Sequence, residues 1–276
     1  MDSLKPAEIV DAMISAGAAR TELGVCDLLI RGGLSGMLLG ISTTLALTAA
    51  AQTGVPFVGA LIFPVGFVII VLLGLDLVTG SFALVPMAAM AGRARWSTVA
   101  GNLAWAFLGN LIGSVLYAVL FVITVTDAGL LPTTTGIAQK LVQLAEANTT
   151  GYAAIGGAGM LTMFVKAILC NWMVCMGTAM GLASTSAIGR IIGAWLPVTV
   201  FFAQGFEHAV VNMFIIPAGM LMGAKVSFTD WWFWNQIPVT LGNIVGGFVF
   251  VGVALYVTYV PSRSRLASEA LAASGD

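Results

Sequence analysis

Charge is the scarcest property of this chain. Lys and Arg number 11 and Asp and Glu 12 in 276 residues, so charged side chains make up 8%, against roughly 25% in ordinary soluble domains. A water-soluble protein of this length cannot cover its surface with so few charges. The shortage excludes a soluble enzyme, and the lack of a basic stripe excludes a nucleic-acid binder. Apolar residues at 59% exclude a disordered chain. Histidine occurs once and cysteine three times. Cys26, Cys170 and Cys175 are an odd set and give no disulfide framework. With no His or carboxylate near them in sequence, Cys170 and Cys175 read as small packing residues rather than metal ligands. There is no Walker-type loop, no Cys/His cluster and no nucleophile motif, so no metal, cofactor or enzymatic reaction is expected.

Hydrophobic runs and glycine are abundant instead. Mean hydropathy is +1.01 and 33 residues are glycine, a combination that suits helices packed closely in lipid. The first 25 residues carry Asp2, Glu8, Asp11 and Glu22 and lack the continuous apolar core of a signal peptide. Pro6 can open a helix with Ile9, Val10, Met13 and Ile14 on one face, which predicts an amphipathic segment over 1–26 lying at the membrane surface. A span needs about 20 apolar residues. Runs of that kind predict six spans over 27–260: 28–51, 57–91, 97–125, 151–184, 191–224 and 231–260. A polar loop fills 127–150, a short polar tail follows at 261–276, and no soluble domain is expected on either side. The second and fifth spans are interrupted, at Asp76–Gly80 and at Glu207–His208. Interruptions at membrane depth are tolerated only where the backbone is buried in protein or lines a cavity. Lys5, Arg20, Arg93, Arg95, Arg190, Arg263 and Arg265 fall on one side of these spans, and Lys140 and Lys225 on the other. The positive-inside rule then puts both termini in the cytoplasm.

The two halves echo each other. Gly74, Asp76 and Pro86 recur as Gly205, Glu207 and Pro217, each 131 residues later. Asn102, Gly109, Asn110 and Gly113 recur as Asn235, Gly242, Asn243 and Gly246, each 133 later, and Arg31 pairs with Lys166 at 135. Three spans per half is an odd number, so the second copy (151–260) enters from the side opposite to the first (27–126). That is an inverted repeat, an organisation found in many transport proteins.

Three stretches carry a family resemblance. The run from Leu73 to Gly80 through Asp76, Leu77, Val78 and Thr79, the run from Ile168 to Cys175 through Asn171 and Trp172, and Gly205-Phe206-Glu207-His208 followed by Asn212 and Pro217 resemble signatures of the formate/nitrite transporter family. The resemblance implies an all-α integral membrane protein with an aquaporin-like protomer in a pentamer. It implies a channel-like carrier of small monovalent weak-acid anions in the bacterial inner membrane. By the same resemblance His208 is the pore histidine and Thr79 the pore threonine. Phe63, Phe67 and Phe201 align with residues that narrow the pore, beside Leu77 and Val78; Val78 stands where many formate channels have Phe. As ordinary residues, the three phenylalanines also suit core packing, and Thr79 suits capping of a loop.

An ionisable residue within a span marks function by default. Neutral imidazole both donates and accepts, and exchanges a proton near neutral pH. Asp76 and Glu207 should stay out of an anion pore; they read as buried carboxylates taking N–H groups exposed at the breaks, or contacts from neighbouring protomers, with Glu207 also placed to tune His208. The repeat puts one cation in each vestibule, Arg31 inside and Lys166 outside, either concentrating anions or snorkelling. Asn171 suits a bond across helices or to broken backbone.

Moving a bare carboxylate-sized anion into a low-dielectric region costs of order 20 kcal/mol before relaxation. Protonating an acid of pKa about 3.5 at pH 7 costs ~5 kcal/mol. The expected path is therefore attraction of the anion and passage through the constriction as the neutral acid, with His208 linked to the proton. Formate and nitrite lead as cargo, Trp172 leaning toward nitrite; bicarbonate, lactate, hydrosulfide and an aquaporin-like neutral solute are the alternatives. Asn148-Thr149-Thr150 matches a glycosylation sequon, relevant only in a eukaryotic secretory setting.

Overall fold

The structure is a computed structural model that describes residues 3–260. The expected tail at 261–276, with Arg263 and Arg265, lies outside those residues. The described chain is helical, and its one β feature is an isolated bridge between Ser3 and Ser184. Helix α1 (Pro6–Thr21) and α2 (Val25–Thr53) come first. Then follow α3 (Pro56–Ile62), α4 (Pro64–Leu73), α5 (Val78–Met90) and α6 (Trp96–Val125). The second half holds α7 (Gly136–Ala147), α8 (Thr150–Ile155), α9 (Gly157–Leu182), α10 (Ala187–Ala203) and α11 (Ala209–Leu221). The last helix, α12 (Phe228–Tyr259), contains π-helical stretches at Trp232–Gln236 and Val245–Val253. Among the described residues, α2, the Pro56–Met90 stretch, α6, α9 and α12 are long and apolar enough to cross a membrane, and α10 and α11 are shorter apolar helices.

Proline and glycine set several of these boundaries. Pro6, Pro56 and Pro64 sit in the first turns of α1, α3 and α4, where a missing N–H costs nothing. Gly74 and Gly205 both adopt φ of +63°, a left-handed conformation that glycine enters without Cβ strain. One ends α4 and the other follows α10. Beyond each, the chain runs extended through Leu77 (φ −106°, ψ 114°) and His208 (φ −113°, ψ 119°) before α5 and α11 begin.

Small residues let the long helices touch. A Cβ on Gly113 of α6 would collide with the Gly33 carbonyl of α2, and one on Gly246 of α12 with the Ile168 carbonyl of α9. The half-length helices cross over: α5 packs on α9 and α12, while α11 packs on α2 and α6. That exchange carries the N-terminal ends of α5 and α11 to the same place.

Several expectations need correction. The polar loop at 127–150 contains α7, whose Ala138, Leu141 and Ala145 are buried against α11; two alanines and one leucine amid polar residues are too short a stripe to register as a run. Helix α1 rests on protein rather than only on the membrane surface: Val10, Met13, Ile14 and Gly17 are buried, and a Cβ on Gly17 would meet the Leu84 carbonyl. Pro64 divides the first part of the second run into α3 and α4, and Gly156 (φ +66°) separates α8 from α9. The last span, expected as a plain α-helix, is π-helical over the glycine-rich Val245–Val253.

Candidate functional site

The first turns of α5 and α11 face each other. Thr79 Oγ1 lies 3.2 Å from His208 Nε2, with Thr79 fully buried and His208 2% exposed. His208 caps α11: its Nδ1 accepts from the Val211 amide at 3.2 Å. A ring nitrogen that accepts carries no proton, so the neutral imidazole holds its proton on Nε2 and donates to Thr79. The Thr79 hydroxyl hydrogen is then free to donate to a ligand. Two helix N-termini directed at one point favour an anion there, each by about 1 kcal/mol.

Two asparagines hold this arrangement. Asn110 of α6 accepts from the Val78 amide at 2.9 Å, and its Nδ2 donates to the carbonyls of Gly32 and Asp76, each at 2.9 Å. Asn243 of α12 accepts from the Ala209 amide at 2.9 Å, and its Nδ2 donates to the carbonyls of Ala167 at 2.8 Å and Glu207 at 3.0 Å. The second set repeats the first, partner for partner. Each amide satisfies one orphan N–H and one orphan carbonyl of an interrupted backbone, groups that would otherwise be costly to bury. Asn171 donates to the carbonyls of Thr79 at 3.0 Å and Asn243 at 2.6 Å, so it bonds across helices, to the first turn of α5 and to α12. Cys175 adds a thiol bond to the same Thr79 carbonyl.

The carboxylates do not take the backbone N–H groups, which Asn110 and Asn243 occupy. Asp76 accepts from Ser81 at 2.9 Å, and Arg20 of α1 lies 3.8 Å from its other oxygen. Glu207 accepts from Tyr152 at 2.8 Å and from Asn212 at 2.7 Å, and Lys166 donates to Tyr152 at 3.3 Å. Both carboxylates are buried.

Aromatic rings close the sides. Phe201 stacks on His208 with centroids 5.5 Å apart, and Phe63 meets Phe201 edge-on at 5.8 Å. Phe67, Leu77 and Val78 are buried nearby in the same core. A cavity of about 580 Å³ reaches His208 from one side; Lys166, Tyr152, Glu207, Asn212 and Phe201 are in its wall. Glu207 therefore does border the open space, contrary to the expectation from charge. Its two oxygens are occupied by amide and phenol donors, and Lys166 stands close by, so its charge is compensated.

The remaining expected residues lie elsewhere. Arg31 is partly exposed on α2 and is not in the wall of this cavity; the cation paired with Asp76 is Arg20. Trp172 is on the outer surface against Phe250, away from the site. The Asn148 side chain of the sequon bonds to Asn212 at 3.2 Å. Among the described residues no group of three or more His, Cys, Asp or Glu forms a metal site. Sequence reasoning missed Arg20, read only as a loop charge, and Tyr152, which no motif marks. Asn110 and Asn243 were visible as repeats but not as the groups that hold the site.

The sequence matches the formate/nitrite transporter family over residues 7–257. It is 30% identical over 291 aligned positions to the formate channel FocA of Escherichia coli strain K12, spanning 94% of this chain and 95% of that protein. Its fold superposes on a solved FNT family ion channel with a TM-score of 0.76 at 24% identity, covering 92% of this chain and 99% of the other. A second solved structure, a pentameric formate channel with formate bound, superposes with a TM-score of 0.67 at 24% identity over 86% and 98% of the two chains.

Proposed function

The chain belongs to the formate/nitrite transporter family, and from that premise we propose that it carries small monovalent weak-acid anions, such as formate or nitrite, through a pore passing His208. It is an integral membrane protein. Two inverted three-helix repeats, residues 27–126 and 151–260, form an aquaporin-like protomer with broken second and fifth spans. The matched Asn110 and Asn243 frames support that organisation. Five copies assemble in the bacterial inner membrane, each with its own pore. Lys5, Arg20, Arg93, Arg95, Arg190, Arg263 and Arg265 against Lys140 and Lys225 support both termini in the cytoplasm, with 1–26 and 261–276 on that side.

The observation that carries this reading is the buried Thr79–His208 contact at 3.2 Å, where two helix N-termini meet between aromatic walls. An anion enters past the vestibule that holds Lys166 on the outer side, or past Arg31 on the inner. It reaches a site with a donor-ready Thr79 hydroxyl and two positive helix ends. The walls of Phe63, Phe67, Phe201, Leu77 and Val78 exclude water and hydrated ions. Crossing them as the neutral acid costs ~5 kcal/mol at pH 7, far below the cost of a bare anion in a dry constriction. Passing a proton through His208 requires the hydrogen bond from the Val211 N–H to open, so that Nδ1 takes one proton and the imidazolium then releases the other from Nε2. Asn110 and Asn243, with Asn171 beside them, keep the two breaks in shape, and Asp76 and Glu207 tie those breaks to Arg20 and to Tyr152 and Asn212.

Competition among formate, nitrite, lactate, bicarbonate and hydrosulfide for labelled formate uptake into proteoliposomes at two pH values tests the assignment. Saturable formate flux that rises as pH falls, displaced by the smaller monoanions, is expected. Glycerol or water flux without anion flux contradicts it and favours a neutral-solute channel.

A further inference from the structure

Three charged side chains are in the wall of the 580 Å³ cavity beside His208: Lys166, Glu207 and Lys140. Lys166 and Glu207 are joined through the Tyr152 hydroxyl. The Glu207 oxygens only accept hydrogen bonds, from Tyr152, Asn212 and Asn235, as those of an ionised carboxylate do. The two charges of this relay therefore cancel when felt from the cavity mouth. Lys140 is different. It sits on α7, exposed, and among the described residues its ammonium has no carboxylate or hydrogen-bond partner.

Helix geometry explains its position. Lys140, Leu144 and Ala147 fall at i, i+4 and i+7, and all three are in the cavity wall. Ala138, Leu141 and Ala145 form the neighbouring buried stripe, seated on α11, where a Cβ on Gly219 would press on Ala145 and Leu141. The buried stripe fixes the roll of α7, and that roll puts Lys140 at the open mouth of the cavity.

We infer that Lys140 supplies the net positive charge of this cavity and so concentrates small monoanions at the approach to His208. The inference rests on the reading of the cavity as an anion entrance and names the residue that recruits the anion there. Lys166 then serves chiefly to neutralise Glu207, and α7 serves as the mount for the recruiting charge.

Two measurements separate this inference from the transport reading. The first reads the local potential without any flux. A cysteine at Leu47 or at Ala147, both in the cavity wall, is placed in a Cys26→Ser background. It is then labelled with anionic sulfonatoethyl and cationic trimethylammonium-ethyl methanethiosulfonate. The ratio of anionic to cationic labelling rates falls about twofold in Lys140→Gln, the effect of a unit charge about one Debye length away in water. It falls further in Lys140→Glu and is retained in Lys140→Arg. Lys225→Gln, outside the cavity wall, leaves it unchanged. The second is formate uptake at low salt, where Lys140→Gln raises KM severalfold with little change in maximal rate, and the difference closes at high salt. An unchanged labelling ratio in both Lys140→Gln and Lys140→Glu overturns the inference whatever the flux. A fallen ratio without anion flux through the unsubstituted chain supports the charge assignment and overturns the transport reading.

Discussion

His208 has one ring nitrogen committed before any ligand arrives. Its Nδ1 caps α11 through Val211, so its chemistry toward Thr79 is that of an Nε2–H donor beside a hydroxyl. Thr79→Ser keeps that hydroxyl, and formate uptake by this variant stays within a few-fold of the unsubstituted chain. Thr79→Val leaves the imidazole donor without its acceptor and lowers uptake about tenfold, the equivalent of roughly 1.4 kcal/mol for a buried polar group left unmade; initial rates in proteoliposomes give the comparison. His208→Asn retains a donor but titrates with no proton near neutrality, so its uptake depends on pH only through the substrate's own ionisation. The sequence pointed to His208 as its single imidazole, at a break in an apolar run, and to Thr79 through its resemblance to the pore threonine of the family. Arg20 escaped notice because it precedes the first span, and only the packing of α1 on α5 brings it to Asp76.

The interrupted stretches before α5 and α11 are held by side-chain amides rather than by the carboxylates within them. Asn110→Ala strands the Val78 amide and the Asp76 carbonyl together. With each buried group costing about 1–3 kcal/mol, the variant unfolds at clearly lower temperature in detergent. Asn243→Ala strands the Ala209 amide and the Glu207 carbonyl and gives a drop of similar size. Equal losses from the two are the expected outcome of matched frames; a loss in one alone contradicts the matching. The close approach of α2 and α6 makes Gly113→Leu disruptive, by about 1–3 kcal/mol or more through overpacking, measurable in the same thermal scan. These boundaries were legible where glycine, proline and charge interrupt an apolar run. Helix α7 was not, since its buried stripe is built from Ala and one Leu amid polar residues. The π-helical part of α12 was not either, because hydropathy does not distinguish an i→i+5 ladder from an i→i+4 ladder.

The chain as a whole combines a near-absence of charge with a few charges placed in pairs. Asp76 has Arg20 and Ser81; Glu207 has Lys166, Tyr152 and Asn212. The spacing of 131 to 135 residues between corresponding positions was readable from sequence alone. The exchange of α5 and α11 between the halves was not, because it depends on which long helices each short helix packs against. The account makes one claim on which the others depend: a weak acid crosses the dry centre with its proton, past His208. Simultaneous recording of formate uptake and internal pH in proteoliposomes tests it most directly. The account predicts internal acidification in proportion to formate entry, with the proportionality altered in His208→Phe. Formate entering without any proton, or the same proton-to-formate ratio in His208→Phe as in the unsubstituted chain, contradicts it.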